Sequence, residues 1–429
     1  MLDLTTKDSE SEREKLRQQG DLVVKKLSKL ADRYEAFCND LENRHKSTTS
    51  PETDDSTMSS ETTLSIAKTE EKRALHLQLH STLLPQLRHQ FTILLRATNP
   101  SDLRDEPAAK FQLILQIQSD IRRTLDQISS ATDVISTRPF PRYTPRINDQ
   151  HLKDLKPYRT SGLPFYLTTF LLDQLQFVSQ DSCALIQQLK LSTKKYKGKI
   201  DVAGTRESLI GQTNELFEWI DKSIYWLRGS EFDLVQAFWP NEIRGFDEQL
   251  EVILAMMDPT IVLEQNTPLS RRRPLRLSEP AVELAKTVVP LIKLTRLFFN
   301  KLSERGMNRK RLPLFTTLCS YQLEIIGGVA GDIGCKLADI LEILCKADEY
   351  DEEDTNEVVT KKLKEIESCF ESSFLLILLH FVPIIPDTDG NPVQNYFKNW
   401  FATWNTQFTL AINNVLDASQ AYQDSGQFT

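Results

Sequence analysis

Apolar side chains recur along most of this chain at steps of three and four residues, the spacing that gathers them on one face of an α-helix. The first stripe is narrow. Leu16, Val23, Leu27, Leu30, Tyr34, Phe37 and Leu41 alternate these steps over residues 10–45, with Gly20 in the one missing slot. Lys25, Lys26, Lys29, Asp32, Arg33 and Glu35 flank it. The spacing is that of a coiled-coil seam and predicts a long N-terminal helix within residues 1–46. Packing against its own chain is the favoured reading, and self-association through residues 10–45 the alternative. Residues 47–63 hold almost no apolar side chain and no basic one. Such a segment cannot bury enough surface to order itself, so it predicts a disordered linker, an inert tether more than a phosphorylated one.

Two long stripes follow. One runs from about Leu64 to Arg96 through Leu75, Leu79, Leu83, Leu87 and Leu94, with Pro85 predicting a kink. The other runs from about Pro107 to Ile135 through Phe111, Ile114, Ile117, Ile121, Leu125, Ile128 and Ile135. A short turn at Asn99–Asp102 predicts that they pack antiparallel. Residues 138–164, with five prolines, predict an irregular crossover. Helical spacing resumes over 165–191, 207–226 and 231–257, the last with a break at Trp239-Pro240.

Residues 258–279 interrupt the pattern again and include Arg271, Arg272, Arg273 and Arg276. The main boundary is expected there, giving a first bundle over 64–257, a basic linker, and a second bundle over 280–429. Ser278 and Pro280 are the N-cap and first-turn signals of a helix carrying Leu284, Val288, Leu291, Thr295, Phe298 and Leu302, with Gly306 placed to end it. Residues 313–347 predict a helix pair or one broken helix, and 356–380 another helix. A last helix after the Asp387–Gly390 turn carries Val393, Phe397, Trp400, Trp404, Phe408, Ala411 and Val415. No segment alternates convincingly with period two. The fold class expected is all-α, two antiparallel helical bundles.

Composition narrows the function classes. The net charge of −8 draws no nucleic acid to the chain as a whole, so none is expected as partner. The N-terminus lacks the cationic start and apolar run of a secretory signal. The apolar run Phe374–Ile385 is short and carries His380 and Pro383, so it predicts a buried core helix with no transmembrane segment. None of the six cysteines forms a C-x-x-C pair, which suits free thiols in a reducing compartment, the cytoplasm or the nucleus.

Candidate chemistry is sparse. His76 and His80 stand four apart on a helix, but no further ligands complete a zinc motif, so surface histidines are expected and no metal. Gly327–Lys336 is glycine-rich but fits no phosphate-loop pattern; its glycines step along one helix face, predicting close helix packing or a helix break. Asp387–Asn391 resembles the start of a calcium loop but lacks its closing Glu, and a turn with an N-cap explains it better. Phe217, Trp219, Trp226, Trp239, Trp400 and Trp404 lie on apolar stripes and are expected as packing anchors. No nucleophile–base pattern appears, so neither an enzyme nor a cofactor is expected.

Three basic clusters remain. They are Lys190/Lys194/Lys195/Lys197/Lys199, Arg271–Arg273 with Arg276, and Lys301/Arg305/Arg309/Lys310/Arg311. As solvated helix ends they need no ligand. As sites, Arg271, Arg272, Arg273, Arg276, Arg305, Arg309, Lys310 and Arg311 would meet an acidic protein segment, an anionic membrane surface or, at Lys310, a nuclear importin.

The segments Leu297–Pro313 and Val382–Phe408, together with Arg159–Leu163, Leu227–Trp239 and Leu284–Leu312, resemble a family of uncharacterised proteins numerous in rust fungi. The resemblance covers most of the chain after the Ser/Thr-rich linker and implies a fungal source, but no active-site residue. More remotely, the two-bundle layout is similar to the cyclin-D-binding helix–loop–helix protein and to vinculin-type bundles. The expected function is a non-enzymatic protein–protein interaction or regulatory bundle for an unknown protein partner. Peripheral contact with anionic membranes through the basic connectors is the first alternative, and an enzyme with an unfamiliar site the second.

Overall fold

A computed structural model describes residues 11–30, 61–136, 148–165, 167, 171–237, 239–258, 277–303, 306–308, 312–347, 352–387 and 392–426. Among the described residues every regular element is helical and none is a strand, so the chain is all-α. It divides into two compact units, one of residues 1–145 with 154–228 and one of residues 146–153 with 229–429.

The first unit contains α1 (11–30), α2 (Glu61–Gln78), α3 (Leu84–Ala97), the short α4 (Pro100–Asp105), α5 (Pro107–Ile135), α6 (Pro157–Phe165), α7 (Leu171–Gln188) and α8 (Val202–Arg228). The stripes read from the sequence form its core: Leu79, Leu83, Leu87 and Leu94 meet Phe111, Ile114, Ile121 and Ile128. The predicted turn after Thr98 is itself a helical turn, α4, and the proline-rich crossover contains α6, with Pro157 in its first turn. Prolines tolerate that position because the first N–H groups of a helix have no partner to lose.

Pro85 perturbs its helix as expected, and the form of the perturbation is a π-turn. Residues Leu79–Leu83 widen by one residue, and the Leu84 N–H reaches the Leu79 carbonyl five back. A proline offers no N–H to the carbonyl four back and crowds it, and the widening ahead of it takes up the misfit. The same device precedes Pro383, where Ile377–Phe381 form a π-turn closed by the Val382 N–H on the Ile377 carbonyl.

The second unit contains α9 (Glu231–Gln236), α10 (Trp239–Met257), α11 (Glu279–Leu302), α12 (Ser320–Cys345), α13 (Glu352–Leu376) and α14 (Val393–Gly426). The boundary expected in 258–279 lies instead between Arg228 and Gly229, so α9 and α10 belong to the second unit. Packing decides this. Phe246 stacks on Phe299 of α11 at 5.7 Å, Trp239 Nε1 donates to the Gly327 carbonyl of α12 at 3.2 Å, and Gln249 Nε2 donates to the Gly334 carbonyl at 2.8 Å. The polar stretch after Met257 is a connection inside a unit, which a composition break cannot distinguish from a domain boundary.

Aromatic rings join the buried aliphatic side chains of this core. Phe298, Phe370, Trp404 and Phe408 lie 4.6–5.1 Å from their neighbours in a continuous cluster between α11, α13 and α14. Helix α12 is unbroken despite its glycines. Ser278 caps α11 by accepting from the Ala281 N–H, and the helix ends at Leu302 with Ser303 as its C-cap, not Gly306; a Cβ at Gly306 would lie 1.9 Å from the Lys301 carbonyl oxygen. The stretch Glu353–Ile384 is long and apolar enough to cross a membrane by length and composition, with 33% of its apolar window buried. It is not the wholly buried helix expected. Ile377 and Phe381 face the core, while Leu375 and Leu379 are more than half exposed.

Candidate functional site

Helix α1 packs onto the first unit. Its buried side is one stripe of Gly20, Val23, Val24, Leu27 and Leu30, with Leu16 and Asp21 half-buried at its edge; the opposite face is open. It fills a groove between α5 and α7. Glu12, Arg13 and Leu16 lie by Asp105–Ala109, Gly20 meets the Phe111 ring, and Gln118 Nε2 donates to the Val23 carbonyl at 3.2 Å. These contacts advance together along both helices, so α1 runs parallel to α5. Against α7 it runs antiparallel, with Gly20 beside Leu191 and the Cys183 thiol on the Val24 carbonyl at 3.6 Å. Burial pushes the Cys183 thiol up to about 11, with Ser28 and Lys194 opposing, so it sits here as an inert apolar group.

The groove closes on a latch built just after α7. That helix ends in a Schellman motif: the Leu191 N–H reaches the Ile186 carbonyl and the Lys190 N–H reaches that of Gln187. The motif needs a left-handed residue, and Lys190 supplies it at φ 59°. The turn aims the Leu191 carbonyl at Gly20, where an added Cβ would lie 1.8 Å from the oxygen, so only glycine permits this approach. The next two residues clasp Asp21. Its carboxylate accepts from Ser192 Oγ at 2.5 Å, from the Thr193 N–H at 3.0 Å and from Thr193 Oγ1 at 2.5 Å. Burial raises the Asp21 carboxyl, but the hydrogen bonds from Ser192, from Thr193 and from the Lys194 backbone together outweigh it and hold the group below its ordinary 3.8.

Sequence reasoning found the apolar stripe and the empty slot at Gly20, and missed Asp21, Ser192, Thr193, Gln118 and Cys183. Each is unremarkable in its own segment and gains meaning only from a contact more than 90 residues away. Tyr34, Phe37 and Leu41 of the predicted seam lie outside the described residues. So do the predicted basic sites Arg271, Arg272, Arg273, Arg276, Arg305, Arg309, Lys310 and Arg311. Lys194, Lys195, Lys197 and Lys199 are exposed on the connection beside the latch. Lys301 lies over Tyr396, Phe397 and Trp400 at 4.5–5.5 Å from the ring centroids, and its Nζ donates to Tyr396 Oη.

His76 and His80 are not both surface residues. His76 is buried at 5% exposure and its Nε2 has no hydrogen-bond partner. The rings meet edge-on at 5.4 Å. Burial, then Arg159 and His80, push His76 down to about 4, while Asp154 opposes. Among the described residues no three His, Cys, Asp or Glu side chains gather as metal ligands. Of the α12 glycines, Gly331 and Gly334 face α10 while Gly328 is exposed; a Cβ at Gly331 or Gly334 would stand 3.6 Å from Glu242 or Phe246, an ordinary contact that does not require glycine. Trp226, Trp239 and Trp404 are core residues, whereas Trp219 and Trp400 are half-exposed under lysines. Asp387 caps α14 by accepting from the Val393 N–H at 3.0 Å; Asn391 lies outside the described residues.

Residues 72–228 match the family model described as a domain of unknown function (DUF8723), and residues 230–417 match a second such model (DUF8721). The two models meet where the structural units meet. No curated protein and no solved structure matches the chain. Helix α1 lies outside both matched regions.

Proposed function

We propose that this chain is a non-enzymatic helical-bundle interaction protein whose first unit receives an amphipathic helix of a partner protein in the α5–α7 groove, where α1 is its own pseudo-ligand. The observation that carries the reading is the docked α1 itself. It defines what the groove accepts: a narrow Val/Leu stripe at helical spacing, a residue without a side chain opposite Leu191, and a carboxylate directly after it. This is helix-in-groove recognition, in which a few apolar anchors give affinity and polar contacts set register. The helix stands outside the matched region, and residues 31–60 separate it from α2. Most helical stability in a protein comes from packing of the apolar face, so α1 draws its order from the groove.

Tethering favours α1 over a competitor. A linked segment is presented at an effective concentration of about 1 mM. A free helix at about 1 μM then needs an advantage of about 10³, or about 4 kcal/mol, or a weakened latch. The test uses the full chain. Gly20→Ala places a methyl group on the Leu191 carbonyl and should unseat α1, although alanine is the better helix former. A fluorescent peptide of residues 11–30 with its native glycine should then bind the variant at micromolar concentration, measured by anisotropy, and not the wild type. Asp21→Ala serves as the second release variant. Absence of binding to both would refute the reading.

A further inference from the structure

We propose that Thr193 is a phosphorylation site and that its phosphate opens the latch on α1; the consequence for partner capture rests on the groove reading above. Three observations point there. Thr193 is exposed on the connection after α7, whereas its neighbour Ser192 is buried and its Oγ also accepts from the Lys194 N–H at 3.1 Å. Lys194, Lys195, Lys197 and Lys199 follow it, all exposed, an arrangement suited to a kinase whose substrate groove is acidic. The Thr193 hydroxyl and N–H together make two of the latch's three hydrogen bonds to Asp21.

The step is an ordinary phosphoryl transfer from a nucleoside triphosphate. The bond from the γ-phosphorus to its bridging oxygen breaks and a P–Oγ1 bond forms. The hydroxyl proton passes to the kinase's base, and the nucleoside diphosphate leaves. The phosphorylated Oγ1 can no longer donate to Asp21, because its hydrogen is gone, which leaves only the Thr193 N–H of that residue's two donors. It sets about −1.5 to −2 charges against a carboxylate within contact distance. The neighbouring lysines are solvated, and exposed ion pairs at a surface offset little of such repulsion. Repulsion therefore acts on the Asp21 carboxylate that the latch holds, beside the close approach at Gly20.

The experiment treats the full-length protein with Mg-ATP and the catalytic domain of a Ser/Thr kinase that selects lysine two positions after its acceptor. Peptide mass mapping locates the phosphate, and hydrogen exchange reads residues 11–30 against residues 84–97 as an internal reference. Thr193 should carry the modification. Exchange over 11–30 should accelerate at least tenfold while 84–97 is unchanged, and the labelled 11–30 peptide should bind the phosphorylated wild type. Thr193→Ser should retain the response and Thr193→Ala should lose it. Failure to modify Thr193, or modification without faster exchange, would overturn the inference. The two ideas separate cleanly: a peptide that binds Gly20→Ala but not the phosphorylated wild type sinks only the switch, and one that binds neither release variant sinks the groove.

Discussion

His76 is the residue whose titration should be visible in the stability of the first unit. It lies on α2 with its ring buried against His80, near Arg159 and Asp154. Its folded-state value of about 4, against 6.5 ordinarily, means that the unfolded chain takes up the proton first as pH falls. Stability contributed by the neutral ring is therefore fully present above pH 6.5 and is lost as pH falls towards about 4. The displacement is worth about 3 kcal/mol at about 1.4 kcal/mol per pH unit, of which about 2.5 kcal/mol is drawn between pH 7 and pH 4.5. His76→Phe keeps an aromatic ring of similar size and removes the titration; the unpartnered Nε2 leaves no hydrogen bond to lose. Hydrogen exchange in peptides spanning residues 73–97 measures opening of this region at both pH values. The wild type should lose about 2.5 kcal/mol more than the variant, a factor of about 60 in its opening constant. Carboxylates that titrate over the same range are common to both chains and cancel in the comparison. Parallel loss in the two proteins would refute the burial argument.

Two backbone predictions follow from the same structure. Lys190→Gly removes the cost of a side chain in the left-handed region and, with Lys190 exposed, should stabilise the first unit by about 1 kcal/mol in urea unfolding; a loss would mean that the lysine side chain holds the latch turn. Gly211→Ala in α8 and Gly245→Ala in α10 meet no atom within 4 Å and should each add about 0.5–1 kcal/mol by the same measurement, whereas Gly20→Ala has the same propensity gain and should lose α1.

Much of this molecule was legible locally. The stripes over 107–135 and 278–302 became α5 and α11 nearly as read, because burying a 3.6-residue stripe and capping a helix end both need only near neighbours in sequence. Pro85 announced a perturbation, and the backbone answered there and ahead of Pro383 with π-turns. A composition break does not mark the domain boundary here. Residues 258–279 look like a linker, yet α10 on their N-terminal side carries Trp239, Phe246 and Gln249 into the second core. Surface placement of His76 failed for a related reason: a lone histidine on a helix gives no sign of which face the neighbouring helices will cover.

The sequence by itself determined that the chain is helical, where most helices begin and end, and which stripe each one hides, since these follow from propensity and periodicity along a single segment. It also marked Gly20 as the irregularity in the α1 seam. Only the tertiary structure decided what that irregularity is for. The Leu191 carbonyl, the Asp21 clasp at Ser192 and Thr193, and the assignment of α10 to its unit are contacts between segments 85 to 172 residues apart. Such contacts are settled by how whole helices pack, and no local pattern encodes them.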